Sequence, residues 1–351
     1  MNALAFARAL VDIDSTTGQE QQAGEWLSAR LRELGYRVDE QPVAGGRANI
    51  IATLDAPRVV LSTHYDCVPP FFPSDVRHGR LWGRGACDAK GILTAQVAAV
   101  ERMRAEGERR VGLLFVVGEE RGSDGAAAAN AAPLGSRYLV NGEPTDGRLG
   151  LATRGNLRLR LRATGKAAHS STPEEGVSAI ERLIDALVQL RALELPADPE
   201  LGATYYTVGL IEGGVAPNVV PPHASAEVMF RTVGPVDELI AGVQALGPLV
   251  EIEEVLRVPH VRLKSWRDAP METAVFPFTT DIPLLDRWGE PLLFGPGSIR
   301  VAHTAEEHLS LSELTAAIDS YVYLARRCLQ EADPEDAREH QHVDPASRRA
   351  T

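Results

Sequence analysis

Several short segments of the 351-residue chain put a carboxylate or an imidazole beside glycines or at the end of an apolar run. His64 and Asp66 follow the run Arg58–Ser62 as an H-x-D pair. Residues i and i+2 of a strand share a face, so both can approach one point. A metal-bound histidine hands its other ring N–H to an acceptor, a role that suits Asp66. Asp88 stands in Gly83-Arg-Gly85-Ala-Cys-Asp88-Ala-Lys-Gly91. An aspartate there also suits a helix N-cap, and the glycines match neither the dinucleotide nor the phosphate-loop pattern. Glu119-Glu120 ends the run Leu113–Val117. Adjacent carboxylates repel without a cation; beside one, either can ligate while the other faces a bound water and moves its proton. Glu143 follows Tyr138-Leu-Val in Asn141-Gly-Glu-Pro-Thr145, and His303 lies in Gly295-Pro-Gly-Ser-Ile-Arg-Val-Ala-His303-Thr-Ala-Glu-Glu-His308. Two imidazoles with three or four carboxylates form a set for Zn²⁺, Co²⁺ or Mn²⁺, and the lack of cysteine ligands argues against a structural zinc site. The chemistry expected is hydrolysis at a di-metal centre.

Positioning these groups requires an α/β scaffold, because ligands of open α/β sheets bind outside the carboxyl ends of the strands. Helical periodicity covers 2–11 and 18–34, where Leu27, Leu31 and Leu34 share a face. Strands are expected at 36–41, 48–54, 59–62, before Asp88, at 111–117 and at 138–140. Ile92, Ala95, Ala99, Val100 and Met103 make a helical stripe after Asp88, and 122–132 reads as a helix. Past Arg154-Gly155 the pattern changes. Leu157, Leu159 and Leu161 alternate with Arg158, Arg160 and Arg162, as on a half-solvated strand. A helix through Ile180–Leu190, strands at 205–211 and 224–231, a helix at 237–246 and a strand at 249–255 complete a β-α-β-β-α-β unit, the ferredoxin-like order. A short helix at 282–288, a strand at 291–294 and a helix at 312–329 return to the first domain. The expected organisation is a catalytic domain of residues 1–154 plus 260–331 with a mixed sheet flanked by helices. An inserted α+β domain occupies 155–259, and a polar, disordered tail runs over 332–351.

Composition narrows the partners. With 48 Asp+Glu against 36 Lys+Arg, the chain carries no basic stripe for nucleic acid. No apolar run reaches the ~20 residues that span a bilayer. The N-terminus lacks a basic region before an apolar core and reads as an amphipathic helix rather than a signal peptide. Three cysteines (Cys67, Cys87, Cys328) without metal-site spacing suit a reducing cytoplasm.

Five motifs in order, T-H-Y-D, G-R-G-A-C-D-A-K-G, G-E-E, N-G-E-P-T and G-P-G-S…A-H-T-A-E-E-H, resemble those of the M20 metallopeptidases, over about residues 4–330. That family includes acetylornithine deacetylase, succinyl-diaminopimelate desuccinylase, acyl-lysine deacetylase, carboxypeptidase G and aminoacylases. The resemblance implies that Asp88 bridges two divalent ions, with His64 and Glu143 on one and Glu120 and His303 on the other. Glu119 would be the general base, Asp66 would orient His64, and the Asp88–Ala89 peptide would be cis. It implies a lid and dimerisation role for the inserted domain and hence a homodimer, in which His169 of Gly165-Lys-Ala-Ala-His-Ser171 steadies the oxyanion in the partner's site. Asn218 and Arg231 would hold the substrate's carboxylate, and Gly295, Gly297 and Ser298 would line the pocket. Ala89 replaces a methionine common in relatives, and D-A-K-G points to the acyl-lysine and acyl-ornithine branch. His308 falls outside the ligand position.

The resulting expectation is a cytoplasmic amidohydrolase that removes an acyl group from a small N-acyl amino acid, a basic one above all. An M20 dipeptidase or carboxypeptidase is the alternative. A non-catalytic metal-binding relative is disfavoured, because Glu119 and all five ligand positions are present.

Overall fold

The computed structural model describes residues 1–332. The expected tail lies outside the described residues from 333 onward, and Ala332 itself closes a helix. In chain order the first stretch holds α1 (Ala3–Val11), α2 (Gln21–Glu33), β1 (Arg37–Val43), β2 (Arg47–Thr53), β3 (Val59–His64), β4 (Asp75–Arg77), β5 (Arg80–Trp82), α3 (Lys90–Ala105), β6 (Val111–Val116), α4 (Asp124–Ala131) and β7 (Tyr138–Asn141). Next come β8 (Leu149–Thr153), β9 (Gly155–Thr164), α5 (Ala179–Ala192), β10 (Ala197–Asp198), β11 (Gly202–Ala203), β12 (Tyr205–Gly213), β13 (His223–Thr232), α6 (Val236–Gln244), β14 (Glu251–Val258) and β15 (Val261–Arg262). The chain finishes with β16 (Thr273–Phe276), β17 (Glu290–Leu293), β18 (His308–Ser310) and α7 (Leu311–Ala332). These elements form two compact units: 1–150, 263–274 and 280 onward in one, 151–262 with 275–279 in the other.

The first unit is built on a six-stranded mixed sheet in the order β1-β2-β6-β3-β7-β17. β6, β3, β7 and β17 run parallel, whereas β1 and β2 pair antiparallel. Every residue of β3 and β6 is buried, as expected of strands covered on both faces. Alternate side chains feed two cores. Leu61, Leu113, Phe115 and Val140 pack with residues of α1, α2, α3 and α7. Val60, Leu114, Val116 and Leu139 pack with Ala126 and Ala129 of α4 and with Trp288. One-residue steps along β3 thus choose a face, and its last residue, His64, sits at the carboxyl edge of the sheet.

Two sequence expectations fail here. The helix expected over 282–288 is a single 3₁₀ turn, Ile282–Leu284. The strand expected before Asp88 is β5, which belongs not to the main sheet but to a small antiparallel sheet ordered β18-β5-β4. Asp88 therefore rises from a turn in front of α3 rather than from a strand end. Gly85 enters that turn at φ +85°, and a Cβ on Gly91 would stand 2.2 Å from the Ala86 carbonyl oxygen, so both positions require glycine.

The second unit is a four-stranded antiparallel sheet, β12-β13-β9-β14, with α5 and α6 on one face. Leu157, Leu159 and Leu161 point into that core with Leu183, Leu190, Leu239 and Val243. On the opposite face Arg160 pairs with Glu227 at 2.6 Å and Glu253 at 3.2 Å, and Arg162 with Glu253 at 2.8 Å. The β-α-β-β-α-β order and this strand arrangement are ferredoxin-like.

Candidate metal centre

Five of the expected ligands converge in the first unit. His64, Asp88 and Glu143 form one group, and Asp88, Glu120 and His303 a second, each with donor atoms within 4.8 Å of one another. Asp88 is common to both. Its Oδ1 lies 3.0 Å from His64 Nε2, and its Oδ2 lies 3.3 Å from His303 Nε2. His303 Nε2 is also 2.9 Å from Glu120 Oε1. Asp88 does not act as an N-cap: α3 has no side-chain cap, and the carboxylate is spent on the two imidazoles. The Asp88–Ala89 peptide is cis.

Each ligand arrives from a different local feature. His64 ends β3, Glu120 sits in the turn after β6, Glu143 follows β7, and His303 takes a left-handed backbone (φ +62°) in the loop before β18. Asp66, fully buried, organises two of them. It accepts from Thr17 Oγ1 at 2.8 Å, from the backbone N–H of Glu119 at 3.1 Å and from that of Glu120 at 3.2 Å. His64 Nδ1 faces two acceptors of Asp66, 3.1 Å from its carbonyl and 3.4 Å from Oδ1. Nδ1 is therefore a donor, which aims Nε2 into the cluster. Gly295–Ser298 lies alongside: a Cβ on Gly295 would stand 2.3 Å from the Glu143 carbonyl oxygen, and Cys87 Sγ donates to the Ser298 carbonyl at 3.5 Å.

The donor set fits divalent cations. Bonds of about 2.0–2.2 Å place neighbouring donors about 3 Å apart, the range of the Asp88–His64, Asp88–His303 and His303–Glu120 separations above. Glu143 is buried, and its Oε1 has no hydrogen-bond partner among the described residues, a cost that a cation would remove. The thiols of Cys67 and Cys87 belong to neither group, and burial holds that of Cys67 up to about 12 and that of Cys87 well above its usual range. His308 belongs to neither group and stacks on Trp82 at 4.5 Å between ring centroids.

Electrostatics agree. Burial drives the carboxyls of Glu119 and Glu143 well above their usual range, with neighbouring acids adding to it. Burial also raises Glu120 and lifts Asp281 to about 6. His64 is raised because Asp66, Asp88 and Glu143 outweigh the burial that opposes protonation, and Asp88 and Glu120 lift His303 to about 10. Asp88 itself is held low by the two imidazoles against its burial.

Three groups here were not identified from sequence. Glu307 accepts from the backbone of Asp88, Arg84 pairs with it, and Asp281 is a buried acid whose Oδ1 lacks a hydrogen-bond partner among the described residues. Glu307 lay within the A-H-T-A-E-E-H stretch, and its adjacent acids were the available signal. In the second unit, His169 is exposed, pairs with Val219 through an isolated bridge and hydrogen-bonds Ser171 Oγ at 2.7 Å. Ser170 N donates to the Asn218 carbonyl at 3.0 Å, and Arg231 on β13 stands opposite Tyr205 and Asn156.

The model of peptidase family M20/M25/M40 matches residues 60–327. A peptidase M20 domain-containing protein of Schizosaccharomyces pombe is 36% identical over 91% of this chain and 83% of its own. A probable carboxypeptidase of Aspergillus clavatus is 35% identical over 93% and 82%. Among solved structures, the aminopeptidase PepT of Bacillus cereus superposes with a TM-score of 0.80 at 20% identity, over 93% of this chain and 98% of that one. The chain belongs to peptidase family M20/M25/M40, whose members hydrolyse C–N amide bonds.

A pH prediction follows. Glu119, Glu120, Glu143, Asp281, His64 and His303 all hold protons to higher pH in the folded metal-free protein than in the unfolded chain. The native state binds more protons there, so stability falls as pH rises from about 5 towards 10. Melts with chelator should show a lower Tm at about pH 8.5 than at about pH 6, and added Zn²⁺ or Co²⁺ should reverse the order. A metal-free Tm that rises over this range would contradict the assignment.

Proposed function

We propose that this member of the M20/M25/M40 peptidases is a dinuclear-metal amidohydrolase that releases an amino acid with a free carboxylate from a small amide. The observation that carries this reading is the pair of donor groups sharing Asp88, with a further carboxylate, Glu119, beside them and outside both. His64 and Glu143 would hold one ion and Glu120 and His303 the other, with Asp88 between. Zn²⁺ or Co²⁺ suits the donors, and Mn²⁺ is accommodated. When bound, such ions polarise an amide carbonyl and acidify water.

The chain's own groups supply the rest. Glu119 is kept proton-avid by burial and by its acidic neighbours. It is the group to take a proton from the attacking water and return it to the departing amine nitrogen. Asp66 fixes both the His64 ring and the backbone of Glu119 and Glu120, so base and ligands share one anchor. By resemblance, His169 of the partner subunit steadies the oxyanion, Asn218 and Arg231 hold the released amino acid's carboxylate, and Gly295, Gly297 and Ser298 line the pocket.

Two acyl partners fit this bond. An N-acyl amino acid, above all an acylated basic one, is favoured by the Asp88-Ala-Lys-Gly segment. A peptidyl group, making the enzyme a carboxypeptidase, is favoured by relatives bearing that name at 33–35% identity. Chelator-sensitive turnover on acetylornithine, acetyl-lysine, acetylcitrulline, succinyl-diaminopimelate and dipeptides separates them. Glu119→Gln should lower kcat by about 10²- to 10⁴-fold with metal content unchanged; wild-type turnover in that variant would remove Glu119 as the base.

The assembly proposed is an isologous homodimer through the second unit. β12 is an edge strand of its sheet, and Leu210, Ile211 and Val215 are 58%, 60% and 73% exposed, with Ile184 and Val188 of α5 at 49% and 58%. An apolar exposed edge of this kind seeks a partner strand. No helix among the described residues is long and apolar enough to cross a membrane, and three free, buried cysteines suit the cytoplasm. Light scattering should give a dimer, converted to a monomer by Ile211→Glu; a monomeric wild type would refute the interface.

A further inference from the structure

Glu307 is a fully buried carboxylate that no step above uses. Its Oε1 accepts three backbone N–H groups of one turn, Gly85 at 2.9 Å, Cys87 at 3.1 Å and Asp88 at 3.1 Å. Its Oε2 accepts from Arg84 Nη1 at 2.5 Å, and the buried Arg84 guanidinium donates in turn to the Pro70 carbonyl at 3.2 Å. The backbone completes the clasp, since Gly83 N donates to the Glu307 carbonyl at 3.3 Å.

The small sheet explains how Glu307 arrives there. β18 pairs antiparallel with β5, His308 opposite Trp82 and Ser310 opposite Arg80. The residue before β18 is thereby laid against the residues that follow β5, which are the turn leading to Asp88. Glu307 also lies four positions after His303. One carboxylate thus ties the turn that carries Asp88 to the loop that carries His303, the two ligands whose side chains meet at 3.3 Å.

We propose that Glu307, neutralised by Arg84, is a positioning residue for the dinuclear centre, holding the Asp88 turn and the His303 loop in the one register that lets both imidazoles share the Asp88 carboxylate. A buried carboxylate that accepts three N–H groups is a strong local anchor. Its loss would leave those N–H groups and a buried guanidinium without their acceptor, and Asp88 free to turn away. Polar groups behind a ligand typically govern metal affinity in this way. The inference rests on the dinuclear reading above.

The test is metal affinity rather than turnover. Metal-stripped wild type, Glu307→Gln and Arg84→Gln are titrated with Zn²⁺ and Co²⁺ against a chromogenic chelator, with circular dichroism recorded on the same samples. Folded Glu307→Gln should bind about 10- to 100-fold more weakly and show an altered Co²⁺ absorption spectrum, with a smaller loss for Arg84→Gln. Wild-type affinity and spectrum in folded Glu307→Gln would overturn the positioning role alone. Loss of the fold by both variants would overturn it as well, making the pair a structural clasp only. A wild type that binds no divalent ion would instead bring down the dinuclear reading beneath it.

Discussion

Too much negative charge is gathered in too little water around Asp88. Asp88, Glu119, Glu120, Glu143 and Asp281 surround two imidazoles. Like charges ~4 Å apart repel by about 4 kcal/mol even at an effective dielectric of 20. A fold does not assemble such a cluster for stability; hydrophobic residues would serve that end better. The mixed sheet supplies the counterweight, with β3 and β6 wholly buried and apolar cores on both faces. The cluster makes sense as a site that positive charge completes.

Two further carboxylates do not compete for that charge because the backbone satisfies them. Asp66 accepts from the N–H groups of Glu119 and Glu120, and Glu307 from those of Gly85, Cys87 and Asp88. Each anchor is local to one ligand and remote in sequence from the turn it holds. Asp66 joins the end of β3 to the turn after β6, and Glu307 joins the last loop to the turn before α3. The geometry of the centre thus depends less on the strands than on two buried acids that clamp glycine-bearing turns.

Much of this was legible in the sequence. His64, Glu119, Glu120 and Glu143 stand at or just past apolar runs, a signal contained within a few neighbouring residues. The leucine–arginine alternation of 157–162 marked one solvated face and one buried face of β9. What escaped notice was set by distant partners. Asp281 and Glu307 look like ordinary acids until residues some 160 to 220 positions away close around them. The strands β4, β5 and β18 are three residues long, and β4 is exposed throughout, too little pattern to read. The run before Asp88 suggests a strand end, but the β4–β5 hairpin and the 83–87 turn, whose N–H groups bond Glu307, separate it from the main sheet. The 282–288 stretch has helical spacing, but Trp288 is held by its own indole bond to the Ala129 carbonyl at 3.1 Å, and only one turn forms.

The most direct test of the shared-aspartate centre is metal content by mass spectrometry on dialysed protein, comparing wild type with Asp88→Asn. Two divalent ions per chain in the wild type and loss of both in the variant is the predicted result. A variant that keeps both ions, or a wild type that takes up none, would contradict a centre built around Asp88.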